Sequence, residues 1–112
     1  MAITFEGAEI ETTANGYLVD ITDWSEALAT QMAAEDGIEL TDKHWDLIKF
    51  LRDQFINNGG KNPNTRALIK EMSSTWGEKI GSKDLYNLFP QDPSKQGGRI
   101  SGLPESKRKG GY

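Results

Sequence analysis

The sequence predicts a mainly α (α+β) fold: a small helical bundle with an N-terminal β-hairpin and a flexible C-terminal arm. Three observations carry that prediction. The stretch Leu40–Asn57, LTDKHWDLIKFLRDQFIN, places Trp45, Ile48, Leu51 and Phe55 on one helical stripe, widened by Leu47 and Ile56. At about 100° per residue these six cover roughly half the helix circumference, more than one neighbour can bury, so this reads as the central helix. The first twenty residues alternate rather than recur at helical spacing, and Glu105–Tyr112 holds nothing able to bury a core face. The expected division is residues 1–104 as one domain, with 1–20 the hairpin region and 23–101 the bundle, followed by 105–112 as a basic arm.

The elements follow in order. Ile3–Glu6 and Ala8–Glu11 read as two short strands around Gly7, with Ile3 and Phe5 on one face and Ala8 and Ile10 paired likewise. Asn15-Gly16 is a stronger turn signal, because both residues tolerate positive φ, and Tyr17–Val19 follows as a short strand or extended lead-in. Asp23 and Glu26 have capping-box spacing, and Trp24, Ala27, Leu28 and Met32 form an apolar stripe. A first helix is therefore expected over about Trp24–Glu35, ended by Gly37. Thr41 can cap the central helix, with Leu40 and Trp45 spaced as a hydrophobic staple, and Gly59-Gly60 stop it. Asp46, Lys49, Asp53 and Asn57 make its wet face. Arg52, inside the apolar arc, should snorkel or pair with a carboxylate from the acidic half.

Pro63 breaks any continuation, Asn64 or Thr65 caps the next helix, and Leu68 and Met72 carry it to about Ser74. Ser82 caps a short helix through Leu85, Leu88 and Phe89, closed by Pro90. Pro93 opens a last helix to about Ser101. Gly97 and Gly98 lie inside it, where each costs about 1 kcal/mol relative to Ala. Trp24, Trp45 and Trp76 all fall on core stripes and read as packing residues.

Composition narrows the chemistry. There is no cysteine and one histidine in 112 residues, which removes disulfides, thiol nucleophiles, thiolate ligands and multi-histidine metal sites; no cofactor is expected. His44 reads as a cap or packing group, since no nucleophile accompanies it. No apolar run reaches a membrane span, and MAITFEGAEI shows no secretion signal, so the expected compartment is the cytoplasm. Charge is divided: residues 1–46 carry eleven acids against Lys43 alone, and residues 47–112 carry twelve bases against six acids. Either the halves attract each other, or a basic face awaits an acidic partner or nucleic acid.

Two segments are more specific. LTDKHWDLIKFLRDQF (Leu40–Phe55) and LYNLFPQDPSKQGGRISGLP (Leu85–Pro104) strongly resemble the DsrC/TusE sulfur-relay family, as do Asn15–Leu18 followed by Asp23-Trp24. The resemblance covers nearly the whole chain. It implies a β-hairpin on a helical bundle with an arm that reaches into a partner enzyme and takes up sulfur on cysteine. It also implies partners among sulfite-reductase-type proteins or the relay that serves tRNA 2-thiouridine synthesis. Two family positions for the carrier cysteines fall here on Gly98 and Gly111, and glycine offers no sulfur. The departure from the family pattern therefore implies no catalytic residue, a chain unable to carry sulfur by the family chemistry, and a non-catalytic partner-binding or regulatory role. Lys95 and Arg99 match the family's basic residues near the arm, and Lys107, Arg108 and Lys109 add three charges on it, which makes these five the candidate partner-binding set. The alternative is nucleic-acid binding, with DNA met by a helix-turn-helix-like pair offering Arg66 and Lys70, plus the basic arm.

Overall fold

The computed structural model of the protein describes residues 1–105. It begins with an antiparallel hairpin, β1 (Ala2–Phe5) and β2 (Ala8–Glu11), in the register Ala2↔Glu11, Ile3↔Ile10, Thr4↔Glu9 and Phe5↔Ala8. Glu6 and Gly7 both take positive φ (49° and 80°), the geometry that lets a two-residue turn follow the strand twist. Ile3, Phe5 and Ile10 rest on the bundle core. The second turn signal gave less than expected. Gly16 is left-handed, but the only pairing there is a single bridge, Thr12↔Leu18, and Tyr17–Val19 forms no strand.

Five α-helices follow a short 3-10 turn at Ile21–Asp23: α1 (Glu26–Glu35), α2 (Asp42–Asn57), α3 (Thr65–Trp76), α4 (Ser82–Leu88) and α5 (Pro93–Ile100). Two expected caps are displaced by neighbours. Ser25, not Asp23, caps α1, accepting from the Leu28 N–H at 3.1 Å; the preceding 3-10 turn is capped by Asp20, and Trp24 lies outside the helix. Gly81, not Ser82, precedes α4, its N–H held by Asp84 at 2.9 Å. α3 runs two residues beyond the expected Ser74, because Gly77 is the first residue able to take the left-handed cap, at φ 67°.

α2 begins at Thr41 as expected, but its fastening is His44. Nδ1 accepts the Thr41 N–H at 3.0 Å and lies 2.8 Å from the Thr41 hydroxyl, while Nε2 donates to the Leu88 carbonyl at 2.8 Å. These partners fix the neutral tautomer with its proton on Nε2. Burial pushes the His44 pKa down, against a smaller upward pull from Leu88. Leu47, Ile48 and Leu51 are buried as predicted, but Ile56 is 51% exposed. Asp46, assigned to the wet face, is half-buried and accepts from Trp76 Nε1 at 2.7 Å.

α5 packs against all four other helices. Pro93, Gln96, Gly97, Gly98 and Ile100 are all buried. The reason is local. A Cβ at Gly97 would stand 3.2 Å from Leu51 Cδ1, tighter than ordinary contact, and 3.5 Å from Phe89, so the bare backbone lets α5 settle here without displacing Leu51.

Candidate docking site around the fifth helix

α5 starts from strong local chemistry. The Asp92 carboxylate accepts from the N–H groups of Ser94 and Lys95, both at 2.9 Å, and Pro93 takes the first helical position, where no N–H is needed. Ser94 Oγ donates to the Pro63 carbonyl at 2.7 Å and ties this end to the α2–α3 loop.

The exit from α5 is equally determined. The Leu103 N–H returns to the Gly98 carbonyl at 3.0 Å and the Gly102 N–H to Arg99 at 3.1 Å, a Schellman closure. Gly102 has φ 77°, and a Cβ there would lie 2.7 Å from Trp24 Cβ and closer still to its ring. Trp24 Nε1 donates to the Ile100 carbonyl and Arg52 Nη1 to the Ser101 carbonyl, both at 2.8 Å. Arg52 also lies over the Trp24 ring, 3.9 Å from its centroid. Of the two expectations for Arg52, to snorkel or to pair with a carboxylate, the second is not met: its partners are a helix C-terminus and an aromatic face, both suited to a cation. Burial lowers the Arg52 pKa, though a guanidinium remains charged.

Beside α5 opens a polar cleft of about 470 Å³, lined by Asn15, Tyr17, Gln91, Asp92, Lys95, Gln96, Arg99 and Glu105. Arg99 is ion-paired with Asp36 at the end of α1, the one salt bridge among the described residues. Gln96 is 3% exposed. It donates to Asp36 at 3.0 Å and accepts the Gln91 N–H at 2.9 Å, so its buried amide is satisfied. The Tyr17 hydroxyl donates to the Lys95 carbonyl at 3.3 Å. Burial raises the Tyr17 pKa, with Glu105 and Asp92 adding to the rise and Arg99 opposing it. At the rim, Glu105 accepts from Asn15 Nδ2 at 2.5 Å and from the Thr13 hydroxyl at 3.2 Å, which fastens the chain after α5 to the loop after the hairpin.

Of the predicted partner-binding residues, Lys95 and Arg99 both face this cleft, Lys95 exposed and Arg99 largely committed to Asp36. Lys107, Arg108, Lys109 and Gly111 lie outside the described residues. Gly98 is buried at its backbone, yet among the described residues a Cβ there would meet nothing within 4 Å. Arg66 and Lys70 are exposed on α3 and line no part of the cleft. Among the described residues no cluster of three or more His, Asp or Glu side chains is arranged to hold a metal ion.

Sequence reasoning missed Asp36, Gln96, Glu105 and the Trp24–Arg52 pair. One signal was available for Asp36. An acid at a helix C-terminus opposes the macrodipole, so it implies a basic partner from elsewhere.

A family model described as DsrC like protein matches residues 4–108. The sulfurtransferase TusE of Salmonella paratyphi A is 45% identical over 104 residues, covering 92% of this chain and 94% of the relative. The solution structure of Allochromatium vinosum DsrC superposes with a TM-score of 0.85 at 38% identity, covering 96% of this chain and 98% of the other. The oxidized γ-subunit of the dissimilatory sulfite reductase (DsrC) from Archaeoglobus fulgidus gives a TM-score of 0.87 at 33% identity, with the same coverage.

Proposed function

The chain belongs to the DsrC-like family of sulfur-relay proteins, and we propose that within it this chain binds a family partner without carrying sulfur. The partner would be a sulfite-reductase-type or sulfur-relay protein in the cytoplasm, and the role regulatory: occupying a docking site that a cysteine-bearing relative also uses. The observation that carries this reading is position 98. The helix, its caps and its cleft are all built, a Cβ at this position would meet nothing within 4 Å among the described residues, and the residue is glycine. A persulfide or trisulfide requires a thiolate, and the 112 residues contain none.

On this reading, Lys95 at the cleft rim and the basic run Lys107–Lys109 meet the partner. Arg99 acts indirectly, by holding α5 to α1 through Asp36. Nucleic-acid binding has nothing further in its favour: Arg66 and Lys70 are exposed on α3 and line no part of the cleft beside α5.

The test is isothermal calorimetry of the purified chain against a purified dissimilatory sulfite reductase and against a reconstituted sulfur-relay complex, with a cysteine-bearing relative as competitor. Binding to one of them, relieved by the competitor, is the expected result. Absence of binding to both removes the docking reading. Covalent attachment of labelled sulfur to the chain would remove the non-carrier reading.

A further inference from the structure

The clamp between Glu105 and the 13–16 turn contains a reactive pair. We propose that Asn15 is a modification site: its side-chain amide is lost by cyclisation onto Gly16, and the carboxylate produced opens the clamp that holds Glu105.

The chemistry needs no enzyme, oxidant or cofactor. The Gly16 backbone nitrogen, after giving its proton to solvent base, attacks Asn15 Cγ. The Cγ–Nδ2 bond breaks and ammonia leaves with a proton from water. Water then opens the five-membered imide to aspartate or isoaspartate. Glycine after asparagine is the sequence that least crowds this ring closure, because no Cβ shields the attacking nitrogen. Asn15 is exposed, and Gly16 is already in a left-handed conformation, φ 85°.

The folded turn restrains both reacting atoms. The Gly16 N–H is donated to the Thr13 carbonyl at 3.0 Å, so the nucleophile is engaged. Asn15 Nδ2, the leaving group, is donated to Glu105 Oε2 at 2.5 Å. Reaction therefore waits on opening of the clamp, and the product prevents its closing. Where an amide donated to a carboxylate there would now be two carboxylates with no proton between them, at a separation where like charges repel. The Thr13 hydroxyl, at 3.2 Å, would be left as the single tie on Glu105. Asn15 and Glu105 both line the cleft, so its rim changes charge at the same step.

Two measurements on the full chain decide the matter. Wild type and Glu105→Ala are incubated at mildly alkaline pH and mapped by peptide mass spectrometry with isoaspartate detection. A gain of one mass unit at Asn15 is expected in both, several-fold faster in Glu105→Ala, and absent in Asn15→Gln. No conversion in either protein overturns the site, and equal rates overturn the restraint by Glu105. Asn15→Asp stands in for one product. Its Glu105 and Thr13 backbone resonances should shift and the Glu105 amide exchange several-fold faster than in wild type. Unchanged resonances and exchange would show that the product does not open the clamp.

Discussion

α2 and α5 pack on each other at the middle of the molecule, and they are helical for opposite reasons. α2 has sixteen residues, a wide apolar stripe and a capped start, so its own sequence specifies it. α5 has eight residues, one proline and two glycines, and a helix that short is unstable alone. Its start is fixed locally by Asp92 and Pro93. Everything after that is held from outside, by Leu51 and Phe89 against Gly97, Asp36 against Arg99, and Trp24 and Arg52 on the last carbonyls. The difference teaches that low helix propensity can be a requirement of position. At Gly97 a propensity cost of about 1 kcal/mol is tolerable where close approach of backbone recovers dispersion and apolar burial.

The strongest way to break this arrangement is Gly102→Ala. It combines a positive φ with overlap of the Trp24 ring, and denaturant unfolding should show a loss of about 3 kcal/mol or more. A loss below about 1 kcal/mol would mean that Trp24 moves aside freely.

The contact between the two helices is tested by a cycle. Leu51→Ala should cost about 2–5 kcal/mol, and Gly97→Ala about 1 kcal/mol net, since crowding of Leu51 outweighs the gain in helix propensity. In the Leu51→Ala background the added methyl fills vacated space, so Gly97→Ala should turn stabilising. Additive effects in unfolding melts would disprove the direct contact.

The start of α2 is tested by pH. His44 has its folded pKa below its unfolded value of about 6.5, so the unfolded chain takes up the proton more readily. Its contribution is full above that unfolded value and declines as pH falls from there towards the folded pKa. Protonation also puts a hydrogen on Nδ1, facing the Thr41 N–H. Stability measured over this window should fall with decreasing pH in wild type and flatten in His44→Asn; parallel curves would assign the slope to other groups.

The smallest effect is expected one residue from the tight glycine. Gly98→Ala meets nothing within 4 Å among the described residues and gains helix propensity, so it should be neutral or stabilise by about 0.5–1 kcal/mol. A clear loss by calorimetric melting would show that the space beside residue 98 is not available in solution.

Much of the architecture was legible because its signals are short-ranged. Helical stripes, Asn64 as a cap and Pro93 at a helix start all act within a few residues. Where two polar residues competed for a cap, as Asp23 and Ser25 did, spacing alone chose wrongly. The missing thiol was legible as well, because it is a fact of composition.

The site was less legible. Lys95 and Arg99 were singled out through a resemblance, but their surroundings were not legible: Asp36 reaches Arg99 across 63 positions of chain and Glu105 reaches Asn15 across 90. The sequence by itself determined the order and type of the helices and the absence of any cysteine. Only the tertiary structure decided that α5 is the hub, that Arg52 serves a helix end rather than a carboxylate, and that residue 97 is crowded while 98 is open. The reason is physical. Periodicity and capping are energies of neighbouring residues, whereas these choices depend on which faces meet and how closely, and that is set by all the helices packing at once.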